Sequence, residues 1–82
     1  MKFEVFWDEK ALKDFETFEV SLQRRIVKKI DSMEENFSFQ DVKRISGTET
    51  YRTRVGDYRI IFFLDKNKLT ILKIGHRKNI YQ

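Results

Sequence analysis

The 82-residue sequence contains no cysteine. A chain without cysteine has no disulfide framework, no thiol nucleophile and no thiolate metal site. Its single histidine, His76, is not enough for a histidine-based zinc site. The three glycines, Gly47, Gly56 and Gly75, stand far apart, which excludes a glycine-rich phosphate loop. We therefore expect neither a metal nor any other cofactor.

Long hydrophobic runs are also missing. No apolar stretch approaches the ~20 residues that span a membrane, and Glu4 interrupts the first apolar stretch, unlike a signal peptide. The hydrophobic content of 40% and the aromatic content of 15% are nevertheless too high for a disordered chain. These values predict one small basic domain, residues 1–82, with a single core and a cytoplasmic location.

The net charge of +4 is unevenly distributed along the chain. Residues 1–41 contain seven lysines and arginines against ten acids, a net charge of −3. Residues 42–82 contain ten against three, a net charge of +7. Such a basic half indicates that the domain binds a polyanion, and nucleic acid is the polyanion we expect. The alternative is the uneven lysine content that is common in small intracellular domains.

Hydrophobic periodicity predicts the element order β-α-α-β-β-β. Alternation over residues 1–7 indicates a strand, Asp8 is the expected N-cap of a first helix, and a period of 3.6 over residues 19–36 indicates a second helix. Residues 37–50 have no sustained period and are expected to form a loop. Alternation then returns in three strands, at residues 51–55, 58–64 and 69–74. We predict an α+β domain with two helices packed on an antiparallel sheet.

Two short turns predict which residues of the hairpins face each other. A two-residue turn at residues 56–57 pairs Arg54 with Arg59. An even-numbered second loop pairs Arg59 with Ile74 and Ile61 with Leu72, and it places His76 across from Asp57 on the face of the two arginines. The opposite face is the predicted core face, and Leu22, Ile26, Ile30 and Met33 of the second helix are expected to cover it. Its residues are Tyr51, Thr53, Val55, Tyr58, Ile60, Phe62, Leu64, Leu69, Ile71 and Lys73.

The predicted Arg54–Arg59 pair calls for an explanation, because like charges directly opposite each other destabilise a sheet. A bound phosphate supplies one, since two guanidinium groups match the phosphate oxygens. The alternatives are that both side chains extend into water, or that Asp57 and Glu49 neutralise them. Histidine is the side chain that ordinarily titrates near neutral pH. For His76 a catalytic role and an ordinary surface or core position are both open.

The basic half carries two distinctive segments, YRTRVGDYRIIF at residues 51–62 and IGHRKNIY at residues 74–81. These segments, together with the β-α-α-β-β-β order, resemble the RelE/ParE superfamily of toxins from toxin–antitoxin pairs. The resemblance covers nearly the whole chain and implies a RelE-like fold. RelE-type members cut mRNA in the ribosomal A site without a metal, by attack of a ribose 2′-OH that leaves a 2′,3′-cyclic phosphate. ParE-type members share the fold but inhibit DNA gyrase and are not nucleases.

The resemblance favours the ribonuclease, because the basic side chains of a RelE-like site match positions on the sheet and near the C-terminus. The expected catalytic residues are Arg54, Arg59, His76 and Tyr81, and the expected RNA-binding residues are Arg52, Arg77 and Lys78. Some RelE proteins carry lysine where this chain has Arg52 and Arg54. Arginine keeps its proton and cannot serve as a general base.

The remaining roles follow from what each group can do chemically. Arg59 and Arg54 are expected to stabilise negative charge on the phosphoryl oxygens, and His76 is expected to carry a proton. Tyr81 stacks on a base, orients the substrate or donates a proton. The implied partners are mRNA, the A site of the small ribosomal subunit and a RelB-like antitoxin that covers the basic site in a hetero-oligomer. No membrane partner is expected.

Overall fold

A computed structural model describes residues 3–35, 42–45, 47 and 49–80. They form β1 (Glu4–Trp7), α1 (Glu9–Glu16), α2 (Val20–Glu35), β2 (Val42–Arg44), β3 (Thr50–Val55), β4 (Tyr58–Asp65) and β5 (Lys68–His76). The strands make one sheet in the order β1-β5-β4-β3-β2, and the two helices pack on one of its faces. The predicted α+β architecture is confirmed. Neither described helix combines the length and the hydrophobicity that crossing a membrane requires.

The sheet differs from the prediction at both of its edges. β2 lies in the segment that was expected to be loop, and it pairs antiparallel with β3. At the other edge β1 pairs with β5 in parallel, with Val5 beside Leu69. Three residues are too few to display alternation, and periodicity does not report strand direction, so the sequence pattern revealed neither feature. The remainder of the predicted loop, residues 36–41, 46 and 48, lies outside the described residues.

The core lies between α2 and the sheet. Ile26, Ile30 and Met33 follow one another at helical spacing and are buried, as predicted, while Leu22 is only partly buried. The buried hydrophobic side chains of the strands that they join are Val42, Val55, Ile60, Phe62, Leu69, Ile71 and Ile74.

The N-terminus of α1 is capped as predicted, since an Asp8 carboxylate oxygen accepts a hydrogen bond from the backbone N–H of Lys10 at 3.1 Å. The cap turns the chain from β1 into α1. Trp7 of β1 then meets Phe15 of α1 edge to face, with ring centroids 5.0 Å apart. This aromatic contact fixes the first helix against the edge of the sheet.

A β-bulge in β5 contradicts the predicted register of the second hairpin. The register shifts between Ile61 and Phe62, so that Phe62 faces Ile71 but Ile61 faces Lys73 instead of Leu72. Leu72 is the extra residue of the bulge. Lys73, which was predicted on the core face, therefore lies on the face turned away from the helices. The bulge removes an ammonium group from the core, where its burial would be costly.

The bulge also reverses the predicted faces of the residues that follow it. Ile74 was expected on the outer face but is only 3% exposed in the core. Arg59 faces Gly75 instead of Ile74. His76 was expected across from Asp57 on the arginine face, but it faces Tyr58 and shares the helix side of the sheet with that residue.

The alternation along β4 gives a direct test of the core. Phe62 is fully buried, whereas its neighbour Phe63 points to the other face and is 36% exposed. We expect Phe62→Ala to lower the free energy of unfolding by about 3–5 kcal/mol, because it leaves a large cavity. Phe63→Ala is the matched control and should cost well under half as much. Denaturant unfolding measures both, and equal losses would show that the face assignment is wrong.

Candidate nucleic-acid interface

The face of the sheet turned away from the helices, called here the open face, carries a row of basic side chains. Pairing between β3 and β4 sets Arg54 directly opposite Arg59, as predicted. Pairing between β2 and β3 sets Lys43 opposite Arg52. Side chains at paired positions project from the same face of a sheet. The described basic residues of the open face are Lys43, Arg52, Arg54, Arg59, Lys68 and Lys73, of which Lys68 is paired with Asp65 and lies beside Glu4.

The β3–β4 turn accommodates the facing arginines. Gly56 has a positive φ of 58°, which suits glycine as the first residue of a two-residue hairpin turn. Nη1 of Arg59 donates to the carbonyl oxygens of Gly56 and Tyr58, both at 3.1 Å. These carbonyl dipoles draw the Arg59 guanidinium toward the turn and reduce its repulsion with Arg54. Arg54 is exposed, and among the described residues its side chain has no hydrogen bond or ion pair.

The two acids that were considered as neutralising partners engage other arginines. A carboxylate oxygen of Glu49 lies 3.2 Å from Nη2 of Arg44. A carboxylate oxygen of Asp57 lies 3.8 Å from Nε of Arg77, and both side chains are well exposed. Within the described ranges, the Arg54–Arg59 pair therefore keeps its double positive charge for an anion.

The turn that follows β5 closes over one end of the open face. The backbone N–H of Arg77 donates to the carbonyl oxygen of Asp57 at 2.8 Å, and that of Ile80 donates to the carbonyl oxygen of His76 at 3.0 Å. Ile80 is buried against Gly75, where an added Cβ would lie 3.3 Å from its Cδ1 atom. Because Gly75 faces Arg59, this turn brings the predicted RNA-binding residue Arg77 to the same end of the sheet.

His76 lies apart from the arginine pair. Its ring meets that of Tyr58 edge to face, with centroids 5.4 Å apart, and Tyr58 in turn meets Phe18 at 5.3 Å. Its Nδ1 atom accepts a hydrogen bond from the backbone N–H of Lys78 at 3.2 Å. This bond assigns the proton of the neutral ring to Nε2. The other predicted proton carrier, Tyr81, lies outside the described residues.

Three basic residues of the open face were not predicted from the sequence, and one of them, Lys68, lies just before the predicted strand 69–74. Lys73 was hidden by the bulge, which no periodicity signals. Lys43 was hidden because its three-residue strand reads as loop. The hydrophobic Val42 next to it was the available signal. Only the pairing of β2 with β3 shows that Val42 is buried and that Lys43 lies on the open face.

The interface suits anions. Among residues 3–35, 42–45, 47 and 49–80, no group of three His, Cys, Asp or Glu side chains is placed to hold a metal ion. Preorganised guanidinium groups bind phosphate and stabilise charge that develops on its oxygens. The arrangement can therefore stabilise negative charge on an anion bound between the two arginines.

Comparison with known proteins yields a family match over residues 5–81, to the family described as the ParE toxin of the type II toxin-antitoxin system parDE. Among solved structures, the chain is similar to that of the archaeal RelE–RelB complex from Pyrococcus horikoshii OT3, with a TM-score of 0.82, 26% identity and coverage of 96% of this chain and 99% of the other. It is also similar to the RelB–RelE antitoxin–toxin complex from Methanococcus jannaschii, with a TM-score of 0.77, 28% identity and coverage of 93% and 94%.

A RelE mutant from E. coli in the free state shares the fold, with a TM-score of 0.82 at 17% identity and coverage of 95% of this chain and 86% of the other. A search of curated proteins found no match.

A substitution at the arginine pair separates stability from anion binding. We expect Arg54→Thr to leave the free energy of unfolding unchanged or to raise it by up to about 1 kcal/mol, because it removes a repulsion across the strands and introduces a good strand former. The same variant should bind polyanions more weakly. Arg54→Lys is the control that keeps the charge and should give no gain in stability. Denaturant unfolding and retention on a heparin column measure the two properties, and a clear loss of stability in Arg54→Thr would contradict the prediction.

Proposed function

Because the chain belongs to the ParE toxin family of type II toxin–antitoxin systems, we propose that it is a ribosome-dependent endoribonuclease that cuts mRNA in the A site and thereby inhibits translation. The observation that carries the proposal is the facing pair of Arg54 and Arg59 on a basic, open sheet face. A sheet keeps such a pair at a cost in stability, and a phosphate between the two guanidinium groups offsets that cost.

The proposed reaction needs no metal. The 2′-oxygen of a ribose attacks the adjacent phosphorus and gives up its proton, the bond from phosphorus to the 5′-oxygen breaks, and the 5′-oxygen takes up a proton. The products are a 2′,3′-cyclic phosphate and a free 5′-hydroxyl. Arg59 and Arg54 stabilise the charge on the non-bridging oxygens. Arg52, Arg77 and Lys78 hold flanking phosphates.

Proton transfer is assigned to His76 or Tyr81. Histidine can take a proton from the 2′-hydroxyl or give one to the 5′-oxygen. The Nδ1 atom of His76 already accepts the Lys78 N–H, which leaves Nε2 for proton transfer. Because His76 lies on the helix side of the sheet, this role requires the substrate to reach around the end of the sheet from the arginine pair. A proton carrier supplied by the ribosome is the remaining possibility if neither side chain acts.

A cognate antitoxin of RelB type is the proposed protein partner. The structures similar to this chain include RelE–RelB complexes, and the basic open face attracts an acidic segment. A second surface, beside α2, supports an antitoxin that wraps around the domain. An apolar groove of about 440 Å³ runs beside α2 and is lined by Phe15, Val20, Gln23, Arg24, Val27, Lys28 and Asp31. An amphipathic segment fits such a groove.

Gyrase inhibition is the second candidate, and the specific observation in its favour is the family match to ParE. A gyrase inhibitor needs a docking surface but no proton carrier and no phosphate between two arginines. The two candidates therefore differ in the nucleic acid that is damaged.

A pulse of expression distinguishes the two functions. We expect translation to stop and mRNA 5′ ends to accumulate within codons at the ribosomal A site, because the proposed reaction requires mRNA held there. The Arg59→Ala variant, expressed to the same level, is the matched control and should leave mRNA intact. Growth arrest with intact mRNA and broken chromosomal DNA would replace the ribonuclease with the gyrase inhibitor.

Single-turnover cleavage on programmed ribosomes tests the role of each residue in the site, because it separates binding from chemistry. Arg59→Ala should slow the chemical step by roughly 10²–10³, the effect of removing a preorganised charge from a transition state. Arg59→Lys should recover only part of the rate, because a point charge lacks the guanidinium fork.

The role of His76 is tested in the same assay. His76→Gln should lower the rate by about 10²–10⁴ and remove a limb near neutral pH from the pH–rate profile if the histidine carries a proton. An unchanged profile would exclude His76 and leave Tyr81 or a ribosomal group. Melting temperatures of the variants serve as the control for folding.

A further inference from the structure

The described structure contains a second basic surface, a cleft of about 420 Å³ between α2 and β3. It opens beside the β3–β4 turn. Its lining residues are Arg25, Lys28, Lys29, Ser32, Arg54 and Val55. Four of these six side chains are cations, and Val55 is the single hydrophobic one among them. The cleft therefore presents concentrated positive charge.

Helical spacing explains why these cations line one cleft. Arg25 is followed at i+3 and i+4 by Lys28 and Lys29, so all three lie on neighbouring positions of the helix surface. This basic stripe stands beside the buried stripe that begins at Ile26. Arg24, one residue earlier, lines the apolar groove and not the cleft, and Lys28 borders both. The two adjacent arginines thus belong to different surfaces.

Arg25 is held in place by the β3–β4 turn. A Cβ added to Gly56 would lie 2.7 Å from Nη2 of Arg25, so the guanidinium rests directly over a position that has no side chain. Within the part of the chain that the structure describes, that guanidinium makes no hydrogen bond or ion pair. An exposed guanidinium that lies beside the turn and keeps its donors available can bind an anion.

Arg54 joins the cleft to the open face. It stands opposite Arg59 on the sheet, and it also lines the cleft together with Arg25. The described residues of β2 pair with β3 only as far as Thr53, so the cleft begins where that pairing ends. A strand of phosphates that crosses the Arg54–Arg59 pair therefore meets Arg25 and the two lysines on leaving the sheet.

We propose that this cleft is a second phosphate-binding site, which holds the RNA backbone where it leaves the open face past Arg54. The proposal rests on the proposed ribonuclease function and adds to it a path for the strand beyond the reacting phosphate. Single-stranded RNA is the favoured occupant because four cations and no acidic side chain line the cleft, whereas Asp31 is among the residues that line the groove.

Binding of RNA oligonucleotides of two lengths tests the proposal. The probes are fluorescent 2′-O-methyl oligonucleotides of ~4 and ~16 nucleotides, which lack the attacking hydroxyl and stay intact. Arg25→Gln should weaken binding of the long probe about 5-fold at ~0.1 M salt and reduce the slope of log K against log salt by about 0.7, the loss of one phosphate contact. Binding of the short probe should not change.

Three variants control this measurement. Arg24→Gln removes the same charge one residue away and should leave both probes unaffected. Arg25→Lys keeps the charge and should retain the salt slope. Arg54→Ala should weaken both probes. Equal thermal midpoints for the Arg24 and Arg25 variants would show that the fold is unchanged.

The possible outcomes distinguish a failure of the cleft proposal from a failure of the ribonuclease proposal. If wild type binds neither probe and cuts no mRNA on ribosomes, both proposals fail. If Arg54→Ala weakens binding but Arg25→Gln behaves like Arg24→Gln, the ribonuclease proposal stands and the cleft is not a phosphate site. If Arg25→Gln leaves RNA binding unchanged and weakens only the antitoxin complex, the cleft is a protein surface and the inference is overturned.

Discussion

The β3–β4 turn is the point on which the rest of the interface depends. Its two-residue length sets Arg54 opposite Arg59, and its carbonyl groups hold the Arg59 guanidinium. The positive φ and the missing side chain of Gly56 admit Arg25 from α2. The carbonyl oxygen of Asp57 anchors the turn that follows β5. The two residues of this turn, Gly56 and Asp57, therefore align α2, β3, β4 and the segment after β5.

This arrangement concentrates electrostatic repulsion on the open face. Lys43 beside Arg52 and Arg54 beside Arg59 are like-charge neighbours across strands, and each pair costs the folded state some stability. The hydrophobic core of α2 and the sheet supplies the stability that offsets this cost. The basic side chains of the open face are thus carried by paired strands of the sheet, whose hydrogen bonding fixes their spacing.

How far the sequence predicts the structure differs between the two hairpins. A glycine–aspartate turn between alternating strands leaves one register, so the facing of Arg54 and Arg59 was predictable. The second hairpin was not, because one inserted residue, Leu72, exchanges the faces of everything after it, and no pattern in the sequence marks a bulge. Lys73 joined the open face and His76 left it for this reason. Core positions of α2 were predictable from their 3.6 period, whereas strand direction and three-residue strands depend on contacts that are distant in sequence.

The parallel pairing of β1 with β5 constrains the order in which the strands of the sheet can pair. β5 is the last described strand to be synthesised, yet it lies inside the sheet between β1 and β4. Until it emerges, Val5 has no neighbouring strand and Phe62 has no Ile71 to pack against. Closing so long a loop costs chain entropy before the contacts compensate for it. The parallel edge of the sheet therefore cannot form until β5 has been synthesised, although the β3–β4 hairpin that carries Arg54 and Arg59 precedes it in the chain.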